Sequence, residues 1–143
     1  YKRYLALVKG GWDDAVKDIQ LPLRKYLTKE GERRVSVDRT EGRESHTEIR
    51  LEKEYKECSL ISAILHTGRT HQIRVHLAHV GHPILGDDKY GDFGLNRQLS
   101  GEGLKRMFLH ATELRFKHPL TGAEIVLEVP LPRHLSEFLT TRN

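Results

Sequence analysis

The chain has a single cysteine, Cys58, which rules out an internal disulfide or a zinc site built on cysteines. It has one Trp and one Met, and no apolar run approaches the about 18 residues that a membrane-spanning helix needs. The opening "YKRYLALVKG" is basic, yet its apolar run is too short for a secretory leader. Charge of one sign does not dominate either. Lys and Arg number 24 against 20 Asp and Glu, for a net charge of +4, and the basic residues are scattered as "KRY", "RKY", "ERR" and "KRM". There is no internal repeat and no low-complexity tract. What remains is one globular domain, expected to be cytoplasmic and to have no membrane partner. The mild basic excess permits a polyanionic partner such as RNA without demanding one.

What is present reads mostly as strand. "RYLALV" at 3–8 is rich in strand-compatible residues and stops at Gly10-Gly11, with a polar loop after it. "VKDIQLPL" is expected to be one short strand, at an edge because of Pro22. "RRVSVD" is a further strand, and "SHTEIRLEKEY" and "CSLISAILH" are two longer ones, the second apolar on both faces. "HPILGDDKYGDFG" reads as a glycine-punctuated loop, followed by a polar stretch to about residue 105. "MFLHATELRFKHPLTGAEIVLEVPLP" reads as a hairpin across "HPLTG", and "RHLSEFLTTR" as a closing helix. The expected class is α+β, with a mixed, largely antiparallel sheet and few helices. Tyr1 leads straight into a strand with no turn before it. Terminal strands need neighbours, so a preceding segment is expected.

The stretch "LHTGRTHQIRVHLAHVGHP", 65–83, crowds five histidines and two arginines together. Ile73, Leu77 and Val80 follow helical spacing, with Thr70 as the expected N-cap and Gly81 as the stop. A metal site would have to use His66, His71, His76, His79 and His82. No HExxH pattern or cysteine supports one, and a helix ending at Gly81 leaves His82 outside. An anion site fits better. "TGRT" puts a glycine ahead of a helix N-terminus with unpaired N–H groups, and Arg69 can fork onto a phosphate or carboxylate. Arg74 falls at the edge of the apolar stripe, where a half-buried guanidinium calls for a carboxylate. The pattern alone leaves open whether that carboxylate makes a structural salt bridge or a functional one.

"TGRTHQIRVHLAHVGHPILGDDKYG" closely resembles the signature of the RluA/RluC family of RNA pseudouridine synthases. "KRYLALVKG" resembles that family's K-x-Y-x-A-x-V-x-G strand, and "FLHATELRFKHPLTG" its C-terminal hairpin. "DDKYGD" and "GLKRMFLHA" are most similar to members acting on large-subunit (23S-type) ribosomal RNA. The resemblance implies isomerisation of uridine to pseudouridine in RNA without metal or cofactor. It implies that Tyr4 stacks on the flipped base and helps remove its C5 proton, and that Arg74 pairs with the catalytic aspartate. Arg69 and His71 are candidate RNA contacts, although His71 and Gln72 also suit a role in fixing the loop and helix start.

The family nucleophile is an aspartate in an H-R-L-D-x-x-T-S/G motif, some tens of residues before the K-x-Y strand. "DRTEG" at Asp38 lacks the preceding R-L, and "RLEKEY" has Glu52 where the aspartate belongs. Asp87 and Asp88 are expected to order their loop. Residues 1–143 are therefore expected to be the C-terminal portion of a synthase domain. The partner of Arg74 would lie outside the chain, in an upstream segment, and the chain alone would be inactive. The alternative is a catalytically inert RNA-binding module on the same scaffold.

Overall fold

A computed structural model describes residues 1–14 and 16–143; the expected polar loop after Gly11 includes residue 15, outside that set. The chain runs β1 (Lys2–Lys9), β2 (Val16–Ile19), β3 (Leu23–Leu27), β4 (Arg33–Val37), β5 (Thr47–Glu54) and β6 (Cys58–Leu65). It continues through α1 (Gln72–His79), α2 (Phe93–Gly101), β7 (Leu109–Lys117), β8 (Glu124–Glu128) and α3 (Arg133–Thr140). Six strands form one sheet in the order β2-β5-β6-β1-β7-β8, and β3 and β4 form a separate hairpin. Every pairing among the described strands is antiparallel, so the α+β class stands.

Alternation along β1 explains the layering, because successive side chains face opposite sides of a sheet. Ala6 and Val8 point into a core with Ile49, Ile61, Ala63, Ile73 and Leu77, which seats α1 on one face. Leu7 points the other way, into Phe108, Leu99, Leu135 and Phe138, which seats α2 and α3. β1 and β6 are thus covered on both sides, as the near-continuous apolar run of "CSLISAILH" implies. A third, small cluster of Leu23, Val35 and Val75 docks the β3–β4 hairpin onto α1.

Three local expectations change. "VKDIQLPL" is not one strand: β2 takes the sheet edge and ends at Ile19, and the chain re-forms beyond Pro22 as β3. Proline cannot donate to a ladder, which permits this break. The polar stretch before residue 105 contains α2, capped by Asp92, whose carboxylate accepts the Leu95 N–H at 3.1 Å. Finally, the N-cap of α1 is His71 rather than Thr70, with a left-handed φ of 53° and no side-chain capping bond. The helix stop is where the sequence puts it. Gly81 has φ 89°, and the amides of Gly81 and His82 return to the carbonyls of Ala78 and Leu77, closing a Schellman motif.

Candidate active site

The site grows from the start of α1 and the loop that faces it. Arg74, in the first turn of the helix, donates from Nε to Asp87 Oδ2 at 2.9 Å and from Nη2 to Asp87 Oδ1 at 2.7 Å. Asp87 is buried, and its Oδ1 also accepts the amides of Lys89 and Tyr90. Burial pushes the Asp87 carboxyl up, but Arg74 and the two amides outweigh it and hold the group below the usual carboxylate range. The same bonds raise Arg74, against its own desolvation. The result is a charged, bidentate pair with fixed planar geometry. Asp88 Oδ1 stands 3.5 Å from Arg74 Nη2 but is largely exposed.

Arg74 therefore already has one carboxylate partner within the chain, which the sequence reading did not expect. Asp87 does order its loop, and it is also the arginine's partner. Two glycines make that possible. A Cβ on Gly86, at φ 84°, would come within 2.5 Å of the Arg106 carbonyl oxygen, and one on Gly91 within 2.3 Å of the Asp87 carbonyl oxygen. The Asn96 side chain bonds Gly86 N–H and the Asp87 carbonyl at once, which ties the loop to α2.

Tyr90 lies under the pair. The Arg74 guanidinium sits 5.2 Å from its ring centroid, a cation–π distance. Its hydroxyl accepts the Val35 N–H at 3.0 Å and meets His71 Nδ1 at 2.8 Å. The Tyr90 hydroxyl thus links the Val35 amide to the His71 ring. Burial, followed by the nearby Arg74 and Lys89 charges, lowers the His71 pKa and keeps the ring neutral. Sequence reasoning missed both Asp87 as partner and Tyr90. The signal available was a half-buried arginine followed, within thirteen residues, by an acidic pair between glycines.

The other candidates are placed as follows. Tyr4 is partly buried on the α1 face of the sheet, packed against the Ala6–Leu77 core. Opposite it, β7 carries a bulge: Arg3 pairs with Glu113 and Tyr4 with Ala111, leaving Thr112 extra. Bulges re-aim neighbouring side chains and are frequent beside active sites. Tyr4 and Arg74 thus share one side of the sheet, but the ring that Arg74 covers is Tyr90. Arg69 is partly committed, since Nε and Nη2 both donate to the Glu44 carbonyl at 3.1 and 2.9 Å. Asp38 caps a turn through the Thr40 and Glu41 amides, and Glu52 accepts from Ser62.

The histidines disperse. His76 is fully buried; Nε2 donates to the Leu21 carbonyl, and Nδ1 accepts from Thr47, which in turn accepts from Gln72. His82 bonds the Lys9 carbonyl beside Trp12, and His46 stacks on His66. Among the described residues no three His, Cys, Asp or Glu side chains stand together as a metal site.

Among curated proteins, the chain is 49% identical over 138 residues to the ribosomal large subunit pseudouridine synthase C of Yersinia pestis, covering 96% of this chain and 43% of that protein. It is 47% identical over 140 residues to the protein of the same name from Escherichia coli K12, covering 96% and 44%. The chain therefore spans less than half the length of these relatives. Among solved structures, human RNA pseudouridylate synthase domain containing 1 matches with a TM-score of 0.76 and 27% identity, over 96% of this chain and 58% of that one. The family model described as RNA pseudouridylate synthase matches residues 1–79, which carry β1, the Gly68–His71 approach and all of α1 with Arg74. By that match, the chain belongs to the RNA pseudouridylate synthase family.

Proposed function

We propose that the full-length protein converts uridine to pseudouridine in RNA, with large-subunit ribosomal RNA as substrate, as the names of its relatives suggest. The observation that carries this reading is the Arg74–Asp87 pair. A guanidinium fixed on one edge by a buried carboxylate can present its remaining N–H groups in a constant direction. Among the described residues, no hydrogen bond occupies Arg74 Nη1.

In the proposed reaction the C1′–N1 bond of uridine breaks and the base turns. A C1′–C5 bond then forms, C5 loses its proton and N1 gains one. Nothing is oxidised or reduced, so the step needs no redox partner. Tyr4 offers an aromatic face to a base taken out of its stack, and its phenol oxygen is the group proposed to assist loss of the C5 proton. Arg74 Nη1 holds the nucleophilic carboxylate ionised and in line. We propose that this carboxylate is an aspartate upstream of Tyr4 in the full-length protein. In support, Asp38, Glu52 and Asp87 are each engaged in structural bonds. Arg69 and His71 are proposed to face the RNA backbone, each with part of its hydrogen-bonding capacity still open.

The test is tritium release from large-subunit RNA labelled at uridine C5, incubated with the full-length protein. Release matched by pseudouridine in the digest is expected. RNA binding without release would replace the enzyme by an inert RNA-binding module. Release abolished by Asp88→Asn would move the nucleophile into this chain.

A further inference from the structure

Beside the Arg74 site, between the β3–β4 hairpin and the Gly68–Thr70 segment, lies a cleft of about 320 Å³. Its floor is apolar, from Leu23 and Val35. Its rim is basic: Arg24, Lys25, Arg43 and Arg69 line it, against a single acidic residue, Glu41. The four cations are not equally committed. Arg24 stands 3.6 Å from Asp38, and Arg69 is held by the Glu44 carbonyl. Among the described residues, Lys25 and Arg43 have no ion pair and no side-chain hydrogen bond. Two unneutralised cations facing one cleft repel each other, and that arrangement suits an anion between them.

The cleft adjoins the candidate active site through Val35 and Thr70. Val35 gives its side chain to the cleft floor and its amide to the Tyr90 hydroxyl, and Thr70 of the wall directly precedes His71. A Cβ built on Gly68 meets nothing within 4 Å, so the backbone there is open to close approach.

We propose that this cleft binds one nucleotide of the RNA strand that flanks the target uridine. The phosphodiester lies between Lys25 and Arg43, and the sugar and base rest on Leu23 and Val35. Apolar floors with basic rims are how single strands are held, with the backbone tracked by charge and the base by contact. A metabolite phosphate would need directed donors around all its oxygens. This cleft instead offers loose cations at a rim, the arrangement for a strand that passes through. The inference rests on the proposed RNA substrate and adds to it a second contact point, on the hairpin rather than on α1.

The experiment measures affinity of the full-length protein for a short single-stranded oligouridine as a function of salt. It compares wild type, Lys25→Glu/Arg43→Glu, and Lys117→Glu at the exposed end of β7 as a remote charge-reversal control. For the double variant, the slope of log affinity against log salt is expected to shrink by about 0.7, the counterion release of one single-strand phosphate contact. The control keeps the wild-type slope. Should the reversed pair fail to fold, Lys25→Gln/Arg43→Gln gives the same reading without added negative charge. An unchanged slope in both double variants overturns the proposal, as does an equal loss in Lys117→Glu. If the slope shrinks but wild type releases no tritium from labelled RNA, the nucleotide site stands and the enzymatic reading fails. If tritium is released and the cleft variants bind as wild type does, only the cleft assignment fails.

Discussion

Arg74 and Asp87, thirteen residues apart, meet through two parallel hydrogen bonds of 2.9 and 2.7 Å, with the carboxylate buried and the guanidinium nearly so. Such a pair gives little net stability over a well-packed apolar one, but removing either half strands the other. Arg74→Ala and Asp87→Ala are each expected to lower unfolding free energy by about 3–5 kcal/mol. The double variant should lose clearly less than the sum. Urea unfolding of the three variants measures the coupling, and additive losses would show that the pair is not a unit.

The acid limb of stability is expected in two steps. His76 is held neutral by burial, so its folded pKa lies below that of the unfolded chain. Its contribution is complete above about pH 6.5 and declines as pH falls through the folded value. Asp87 is likewise depressed on folding, so its contribution is present above about pH 4 and is lost as pH falls further. Unfolding curves from pH 8 to pH 3 check this. His71, also lowered by burial, contributes to the same window, so His76→Gln should shrink the upper step and leave the lower one; an unchanged upper step would show that His76 does not contribute to it.

Tyr90→Phe keeps the ring under Arg74 and deletes the oxygen shared by Val35 N–H and His71. An orphaned, buried amide costs about 1–3 kcal/mol. Hydrogen exchange at the Val35 amide should rise accordingly, with the β3–β4 hairpin loosening from α1. Unchanged protection would mean that packing of Val35 on Val75 holds the hairpin by itself.

Tyr4→Phe should retain RNA affinity, because the aromatic face survives, while single-turnover isomerisation slows. Tyr4→Ala should weaken both. If Tyr4→Phe turned over at the wild-type rate, stacking would be the only task of this residue.

Much of the architecture was legible because its residues carry a period. β1, β5 and β6 alternate or run apolar, β7 and β8 flank a turn-forming "HPLTG", and α1 spaces Ile73 and Leu77 and ends on Gly81. β3 was not legible: of "LRKYL" only Leu23 is buried, since the hairpin packs by Leu23 and Val35 and by bonds from Arg34 and Tyr90. α2 was hidden for a similar reason. It buries only Leu99, contains two glycines, and depends on its Asp92 cap. At the site, the arginine and its need for a carboxylate were readable from helix geometry. Which carboxylate was not, because the choice depends on a loop folded back by Gly86 and Gly91, a long-range approach with no local signal.

The most direct test of the central claim is single-turnover tritium release from C5-labelled large-subunit RNA by the full-length protein with Arg74→Lys. Lysine keeps the charge and loses the two-pronged geometry, and enough folded protein for assay is verified by circular dichroism. RNA binding is expected within a few-fold of wild type and release reduced by at least about 100-fold, the scale of losing a positioned electrostatic donor. Release at the wild-type rate would contradict the central claim and take Arg74 out of the active site.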